Sequence, residues 1–103
     1  MNWITKEIII QKTLKRENSP SEIFQAIFDT DKYLKKVLGD NYVDIKIGYF
    51  DIIKDGHCPN QCKTSSAHLR KQYESSDRRR RVLEATCVYC NENYLVFQEL
   101  DGE

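Results

Sequence analysis

His57-Cys58-Pro59-Asn60-Gln61-Cys62 and Cys87-Val88-Tyr89-Cys90 are the two stretches that decide the fold, because they hold all four cysteines of the 103-residue chain. Each pair can supply two thiolates from one tight turn, and the 24 residues between the pairs let the chain fold back and bring the turns together. The spacing therefore predicts a tetrahedral metal site with structural Zn²⁺ as the expected ion. Its predicted ligands are Cys58, Cys62, Cys87 and Cys90.

The same residues leave alternatives to a four-cysteine zinc site. The cysteines could form two disulfides or stay free for redox chemistry, although paired thiols in a reducing compartment more often bind a metal. His57 or His68 could also replace one of the first two cysteines as a ligand. A site with one cysteine freed in this way would be open, whereas four thiolates leave no position for a catalytic water.

The Cys87-x-x-Cys90 turn, which precedes an apolar stretch, resembles the second knuckle of the zinc-ribbon superfamily. The stretch from Cys58 to Cys62 resembles the first knuckle, although three residues separate its cysteines where two are commoner. The resemblance covers residues 57–100 and implies the four cysteines as ligands. It does not imply one function, because zinc ribbons serve as nucleic-acid binders, as protein-contact modules and as structural supports.

The length and charge of the chain predict one soluble domain, with a strand-helix-strand part at 1–56 and a ribbon-like part at 57–103. Sixteen basic and sixteen acidic residues cancel, so any attraction to nucleic acid or an anionic membrane has to come from a local patch. The longest apolar run near the start is Ile8-Ile9-Ile10, which is too short for a signal or a membrane span. We therefore expect an intracellular protein, cytoplasmic or nuclear.

Alternating apolar residues predict a strand over residues 3–15, and Ser19-Pro20-Ser21-Glu22 predicts the start of a helix. Ser19 can cap the first free amides, and Glu22 completes a capping box. The helix should end near 38, before Gly39. Asp29-Thr30-Asp31 predicts a kink or a division into two short helices. One buried stripe is expected from Ile23, Phe24, Ile27, Phe28, Leu34, Val37 and Leu38.

The second half of the chain alternates most clearly over residues 42–54, which predicts a long central strand. Ser65 could cap a helix over about 66–76. Residues 82–89 and 94–100 predict a β-hairpin whose tip is the second cysteine turn. The expected fold is α+β, an antiparallel sheet with the helical segment on one face and a C-terminal zinc-ribbon-like lobe whose metal pins the sheet edge.

A basic segment over residues 63–81 is the remaining functional candidate, because it carries seven basic and two acidic side chains. At least two of its four successive arginines should project to solvent beside the metal lobe, where guanidinium groups could contact phosphates or an acidic protein surface. The segment could also simply neutralise residues 82–103, which carry five acidic and no basic side chains. The candidate binding residues are Lys63, Arg70, Lys71, Arg78, Arg79, Arg80 and Arg81.

We therefore expect a small non-enzymatic zinc-binding module. No nucleophile with a neighbouring base and no phosphate-binding glycine loop occurs in the sequence, and no small-molecule substrate is predicted. The first hypothesis is contact with nucleic acid, DNA or RNA, within a transcription or nucleic-acid-processing assembly. The alternative is a protein-binding regulator or adaptor, including an inhibitor of a larger enzyme, in which zinc is purely structural.

Overall fold

One helix lies on one face of an antiparallel sheet in the computed structural model, which describes residues 2–11, 17–48, 52–53, 58–60, 62 and 66–101. The sheet order is β1-β6-β5-β4-β2, and the two-residue strand β3 also pairs with β4. This confirms the expected α+β fold. The elements are β1 (Trp3–Ile10), α1 (Pro20–Leu38), β2 (Val43–Ile45), β3 (Ile52–Ile53), β4 (Ala67–Glu74), β5 (Arg80–Cys87) and β6 (Asn93–Leu100).

The β5–β6 hairpin forms the centre of the sheet, as its alternation and its turn predicted. β5 pairs with β6 from Arg80 opposite Glu99 to Thr86 opposite Asn93, and the second cysteine turn connects the two strands. Val82 and Ala85 are fully buried although they point to opposite faces. Both faces of β5 are therefore covered, as expected for a central strand.

Two apolar clusters lie on the two faces of this hairpin. On the helix face, Val82 and Leu95 pack with the buried α1 residues Leu34 and Leu38, and with Tyr73 of β4. The opposite face is called the cysteine face here, because Cys58 and Cys62 pack against it. Its cluster consists of Ala67, Leu83, Ala85, Cys87, Tyr94 and Val96.

The helix α1 begins and ends where its capping residues predicted. The Ser19 side chain accepts a hydrogen bond from the backbone N–H of Glu22, and the Glu22 carboxylate accepts one from the backbone N–H of Ser19. Gly39 adopts a φ of 96°, which favours glycine, and donates its N–H to the carbonyl of Lys35. The helix runs through Asp29-Thr30-Asp31 without a break, so the two-helix alternative is wrong. No helix in the described part of the chain is long and apolar enough to cross a membrane.

The apolar stripe of α1 is buried only in its C-terminal half. Leu34 is 2% exposed, whereas Ile27 is 59% exposed, although two helical turns separate them and put both on one face. Phe24 and Phe28 are also largely exposed. The expectation of one continuous buried stripe is wrong, because the sheet covers the helix only around Leu34 and Leu38.

The predicted long central strand over 42–54 is also wrong. β2 and β3 are short, both pair with β4 at the side of the sheet, and residues 46–48 between them are not in a strand. Residues 49–51 and 54 lie outside the described residues. Alternation predicts a half-buried strand but not its neighbours, and here β5 takes the central place.

The stretch predicted as a helix over 66–76 is strand β4. It pairs with β5 along its length, and a bulge between Leu69 and Lys71 shifts the register by one residue. The bulge interrupts the alternation of side chains between the two faces, so Ala67 and Tyr73 are buried on opposite faces. The spacing of apolar residues in this segment therefore fits neither a regular strand nor a helix. Strand pairing with β5 therefore decided the conformation of this segment.

β1 pairs with β6 at the other edge of the sheet and begins where the sequence predicted. Its last paired residue is Ile10, and Gln11 continues the ladder by donating its N–H to the carbonyl of Asn93. Residues 12–15 of the predicted strand lie outside the described residues.

Replacing Leu34 by alanine should lower the free energy of unfolding by about 2–5 kcal/mol, because it leaves a cavity between α1 and the sheet. The same change at Ile27 should alter it by less than about 0.5 kcal/mol, because Ile27 is mostly exposed. Urea unfolding of both variants, reduced and metal-loaded, measures the difference. Equal losses would contradict the described position of the N-terminal half of α1.

Candidate metal centre

Four cysteines from two separate parts of the chain meet beside the end of the β5–β6 hairpin. Cys87 is the last residue of β5, and Cys90 lies in the turn to β6. Cys58 and Cys62 precede β4 and pack against the cysteine face of the sheet. The four Sγ atoms lie within 4.8 Å of one another, so the predicted residues form a group that could hold a metal ion.

The distances between the sulfur atoms fit one bound ion and not two disulfides. Cys58 Sγ lies 3.6 Å from Cys62 Sγ and 3.6 Å from Cys90 Sγ. A tetrahedron with metal–sulfur bonds of about 2.3 Å has sulfur–sulfur edges of about 3.8 Å, whereas a disulfide needs about 2.05 Å. All four side chains are free thiols.

The second cysteine turn is shaped by backbone hydrogen bonds and one left-handed residue. Asn91 has a φ of 62° and donates its N–H to the carbonyl of Cys87 at 3.0 Å. Asparagine tolerates this conformation better than most residues. The N–H of Tyr89 points at Cys87 Sγ from 3.4 Å. Cys87 is buried, Cys58 and Cys62 are partly exposed, and Cys90 is exposed, so the group is partly open to solvent.

Asn60 contacts the four-cysteine group, and the sequence analysis did not single it out. Its side-chain amide donates to Cys90 Sγ at 3.6 Å and to the Glu92 carboxylate at 3.3 Å, which links the first cysteine stretch to the second turn. The sequence did contain an indication of this contact, because Asn60 is an amide residue between two predicted ligand cysteines. Sulfur ligands of metals commonly accept hydrogen bonds from such neighbouring groups.

Hydrogen bonding and burial give the thiols different acidities. The hydrogen bond from Asn60, followed by the backbone of Glu92, lowers the pKa of Cys90 to about 6. Burial raises the pKa of Cys58, and the hydrogen bond with Cys90 raises the pKa of Cys62. Burial and the nearby thiols together raise the pKa of Tyr94 to about 12. A divalent cation would override these differences, because a coordinated thiol is deprotonated outright.

The histidine alternatives receive no support from the described residues. His68 lies on β4 with an exposed side chain and does not belong to the four-residue group. His57 lies outside the described residues. The arrangement that the structure describes is therefore the four-cysteine set.

The four arginines do not lie beside the cysteines, contrary to the sequence expectation. Arg78 and Arg79 are exposed in the turn between β4 and β5, at the start of the strand that Cys87 ends. Seven residue steps of strand separate Arg80 from Cys87, which corresponds to about 23 Å. The turn is ordered by Asp77, whose carboxylate accepts the Arg79 N–H at 3.0 Å.

Two other members of the predicted basic surface are engaged within the sheet. The Arg81 guanidinium lies 4.1 Å from the ring centroid of Trp3 and donates to Gln98 at 2.8 Å. Arg70 donates to Gln11 at 2.8 Å and lies 3.9 Å from the buried Glu84 carboxylate.

The remaining members do not complete a single basic face. Arg80 is half-buried opposite Glu99, Lys71 is exposed on β4, and Lys63 lies outside the described residues. Among the described arginines, Arg78 and Arg79 of the β4–β5 turn are therefore the exposed ones whose side chains do not contact neighbouring strands as Arg70 and Arg81 do.

A second candidate site is a groove of about 1500 Å³ between the N-terminal part of α1 and the helix face of the sheet. The exposed residues Phe24, Ile27 and Phe28 line the groove on the helix, and Leu95 and Tyr73 line it on the sheet. Its charged lining residues among those described are four acids and one base, which are Glu22, Asp29, Asp31, Glu84 and Lys71. Asp31 pairs with Lys35 at 3.2 Å and Glu84 lies 3.9 Å from Arg70, so the net negative charge is small.

Comparison with known proteins adds no assignment: no family model, no curated protein and no solved structure matches this chain.

Replacing Asn60 by alanine should weaken metal binding by about 10–100-fold, because it removes a hydrogen bond that orients a ligand thiolate. Co²⁺ is a suitable probe, because its absorption reports tetrahedral thiolate coordination during competition with a chelator. Asn2→Ala, an exposed asparagine far along the chain from the cysteines, serves as the control. Unchanged Co²⁺ affinity in Asn60→Ala would show that this contact does not support the site.

Proposed function

We propose that this protein is a non-enzymatic module in which Zn²⁺, bound by the four cysteines, supports the fold, and that it acts by binding another protein. The clustering of four sulfur atoms within 4.8 Å carries the zinc part of the proposal. Soft thiolates favour Zn²⁺, Cu(I) or iron, and a tetrahedral set of four is typical of structural zinc. Four thiolates leave no coordination position for water, which argues against zinc catalysis.

The metal would add a link between the stretch before β4 and the β5–β6 turn, beside the point where Ala67 pairs with Cys87 in the sheet. Cys58 and Cys62 precede β4, whereas Cys87 and Cys90 belong to the β5–β6 turn. The free energy of zinc binding in small zinc peptides is about 10–16 kcal/mol, which is comparable with the whole stability of a small domain. Zinc would therefore contribute to folding itself.

The purified protein should contain one zinc ion per chain, and removing it should loosen the C-terminal half first. A chelator under reducing conditions should lower the melting temperature and increase amide exchange around the β5–β6 turn. Elemental analysis and hydrogen exchange provide the measurements. Cys90→Ser should lose the metal, while Tyr89→Ser, an exposed neighbour outside the ligand set, should keep it.

A melting curve and circular dichroism spectrum that do not change with the chelator would contradict the structural role. A metal other than zinc, bound at full occupancy by the same cysteines, would contradict the identity of the ion only.

The exposed half of the α1 stripe supports a partner protein as the target. Ile27 shares a face with the buried Leu34 but has no covering element among the described residues. Phe24 and Phe28 add aromatic surface, which is enriched at protein interfaces. Because the groove beside them carries a small net negative charge, the partner segment that fits combines apolar anchors with basic residues. An amphipathic helix in a groove is the common form of such recognition.

Nucleic acid is the second candidate, and the exposed Arg78 and Arg79 favour it. They project from a turn held by Asp77, so their backbone is ordered for contact with phosphates. The contact would be small, because Arg70 and Arg81 are engaged within the sheet.

The two candidates respond differently to substitution at two exposed positions. In affinity capture from extract of the source cells, Phe28→Ser should reduce the recovered partner about tenfold or more, because it removes an exposed aromatic anchor. Arg79→Ala should leave the amount of recovered partner unchanged, and treating the extract with nuclease should not alter this result. Quantitative mass spectrometry measures both.

The opposite pattern would favour nucleic acid. Fluorescence anisotropy with single- and double-stranded oligonucleotides would then show affinity that falls steeply with salt, that is lost in Arg79→Ala and that persists in Phe28→Ser. That result would contradict the protein-binding proposal.

A further inference from the structure

We propose that β1 pairs with β1 of a second copy of this chain, so that two sheets join into one across a two-fold axis between Lys6 and Glu7. β1 is the terminal strand of the sheet order, and no strand pairs with its outer side among the described residues. An edge strand presents unpaired N–H and C=O groups, and proteins normally protect such an edge with charges, proline or irregularities. β1 carries charges at Lys6 and Glu7 and a bulge between Thr5 and Glu7, whereas the stretch from Ile8 to Ile10 has no charge, proline or irregularity.

The β1–β6 ladder determines which backbone groups point outward. Gln11 N–H bonds to the Asn93 carbonyl at 2.9 Å at one end, and Asp101 N–H bonds to the Asn2 carbonyl at 2.8 Å at the other. Hydrogen-bonded residue pairs alternate with non-bonded pairs along an antiparallel ladder. Counting the β1–β6 pairs from either end identifies the same pairs as hydrogen-bonded. The residues whose N–H and C=O groups point away from β6 are Trp3, Thr5, Ile8 and Ile10.

A bulge at Lys6 keeps the outward-pointing residues of β1 opposite every second residue of β6. Thr5 lies opposite Gln98 and Ile8 lies opposite Val96, so three residue steps along β1 match two steps along β6. The four outward positions are symmetric about the midpoint between Lys6 and Glu7. In an antiparallel pair of β1 strands, Trp3 therefore meets Ile10 of the second copy, and Thr5 meets Ile8 of the second copy.

The side chains are also self-complementary in this register. Lys6 lies opposite Glu7 of the second copy, so two pairs of opposite charge flank the axis. Ile10, which is 54% exposed, faces Trp3 of the second copy, and Ile4, which is 43% exposed, faces Ile9 of the second copy. Both exposed large hydrophobic residues of β1 thus gain apolar partners. This combined charge and apolar complementarity selects a second copy as the occupant of the edge.

The contact is small, so the dimer should dissociate on dilution. β1 offers eight residues per copy, whereas a stable interface uses roughly 20–30 residues a side. Sedimentation velocity of the reduced, metal-loaded protein over a range of concentrations should therefore show a monomer–dimer equilibrium.

Charge reversal tests the register. Lys6→Glu should weaken the dimer about tenfold because it places acidic groups opposite each other, and Glu7→Lys should do the same with basic groups. An equimolar mixture of the two variants should dimerise again, because each Glu then faces a Lys of the other copy. Circular dichroism and melting curves check that both variants fold, which matters because Glu7 also accepts a hydrogen bond from Tyr33.

Ile10→Pro provides a second test that does not involve Glu7. Proline removes an outward N–H that the β1–β6 ladder does not use, and Ile10 is 54% exposed, so the variant should fold and dimerise more weakly than the wild type. Ile9→Pro, the matched control, removes an inward N–H and should destabilise the fold. A wild-type protein that stays monomeric at all concentrations would overturn the proposal, even if its edge binds a foreign strand. Single charge variants that dimerise like the wild type, or a mixture that dimerises no better than either variant, would also overturn it.

Discussion

The pairing of β5 with β6 is the interaction on which the other parts of the structure depend. It places Val82 and Leu95 under α1, and Ala85 and Tyr94 on the cysteine face, so both apolar clusters form on one hairpin. The same pairing closes the turn that presents Cys90. A hairpin whose two faces are both buried therefore unites the helix and the candidate metal centre, and a loss of its register would disturb both.

Local signals were sufficient to predict the parts of the fold that depend on neighbouring residues. The capping box at Ser19, the stop at Gly39 and the cysteine pairs act within a few residues, and the structure has each of them where the sequence indicated. The errors concern segments whose conformation depends on distant partners. The stretch over 66–76 is a strand because it pairs with β5, and its bulge hides the alternation. The exposure of Ile27 depends on how far the sheet extends beneath α1, which no local pattern encodes.

Much of the positive charge predicted for binding is engaged within the sheet. The basic turn at Arg78 and Arg79 lies at one end of β5, and the cysteines lie at the other. Arg70 and Arg81 connect strands through Glu84 and Trp3, so part of the basic segment serves the sheet itself. The count of arginines in the sequence therefore overstated the charge available for binding. Asn60, a single neutral side chain, affects the thiols more directly than any of them.

The adjacency of β1 and β6 has a consequence for the order of folding. β4, β5 and β6 are consecutive neighbours joined by short turns, so their contacts are local and close at small entropic cost. β1 must wait for a partner that lies far along the chain, because its first pair joins Trp3 to Leu100, 97 residues later. The meander should therefore condense early, while β1 is recruited in the last kinetic phase. Until then the outer side of β6 would remain the reactive edge of the nascent sheet.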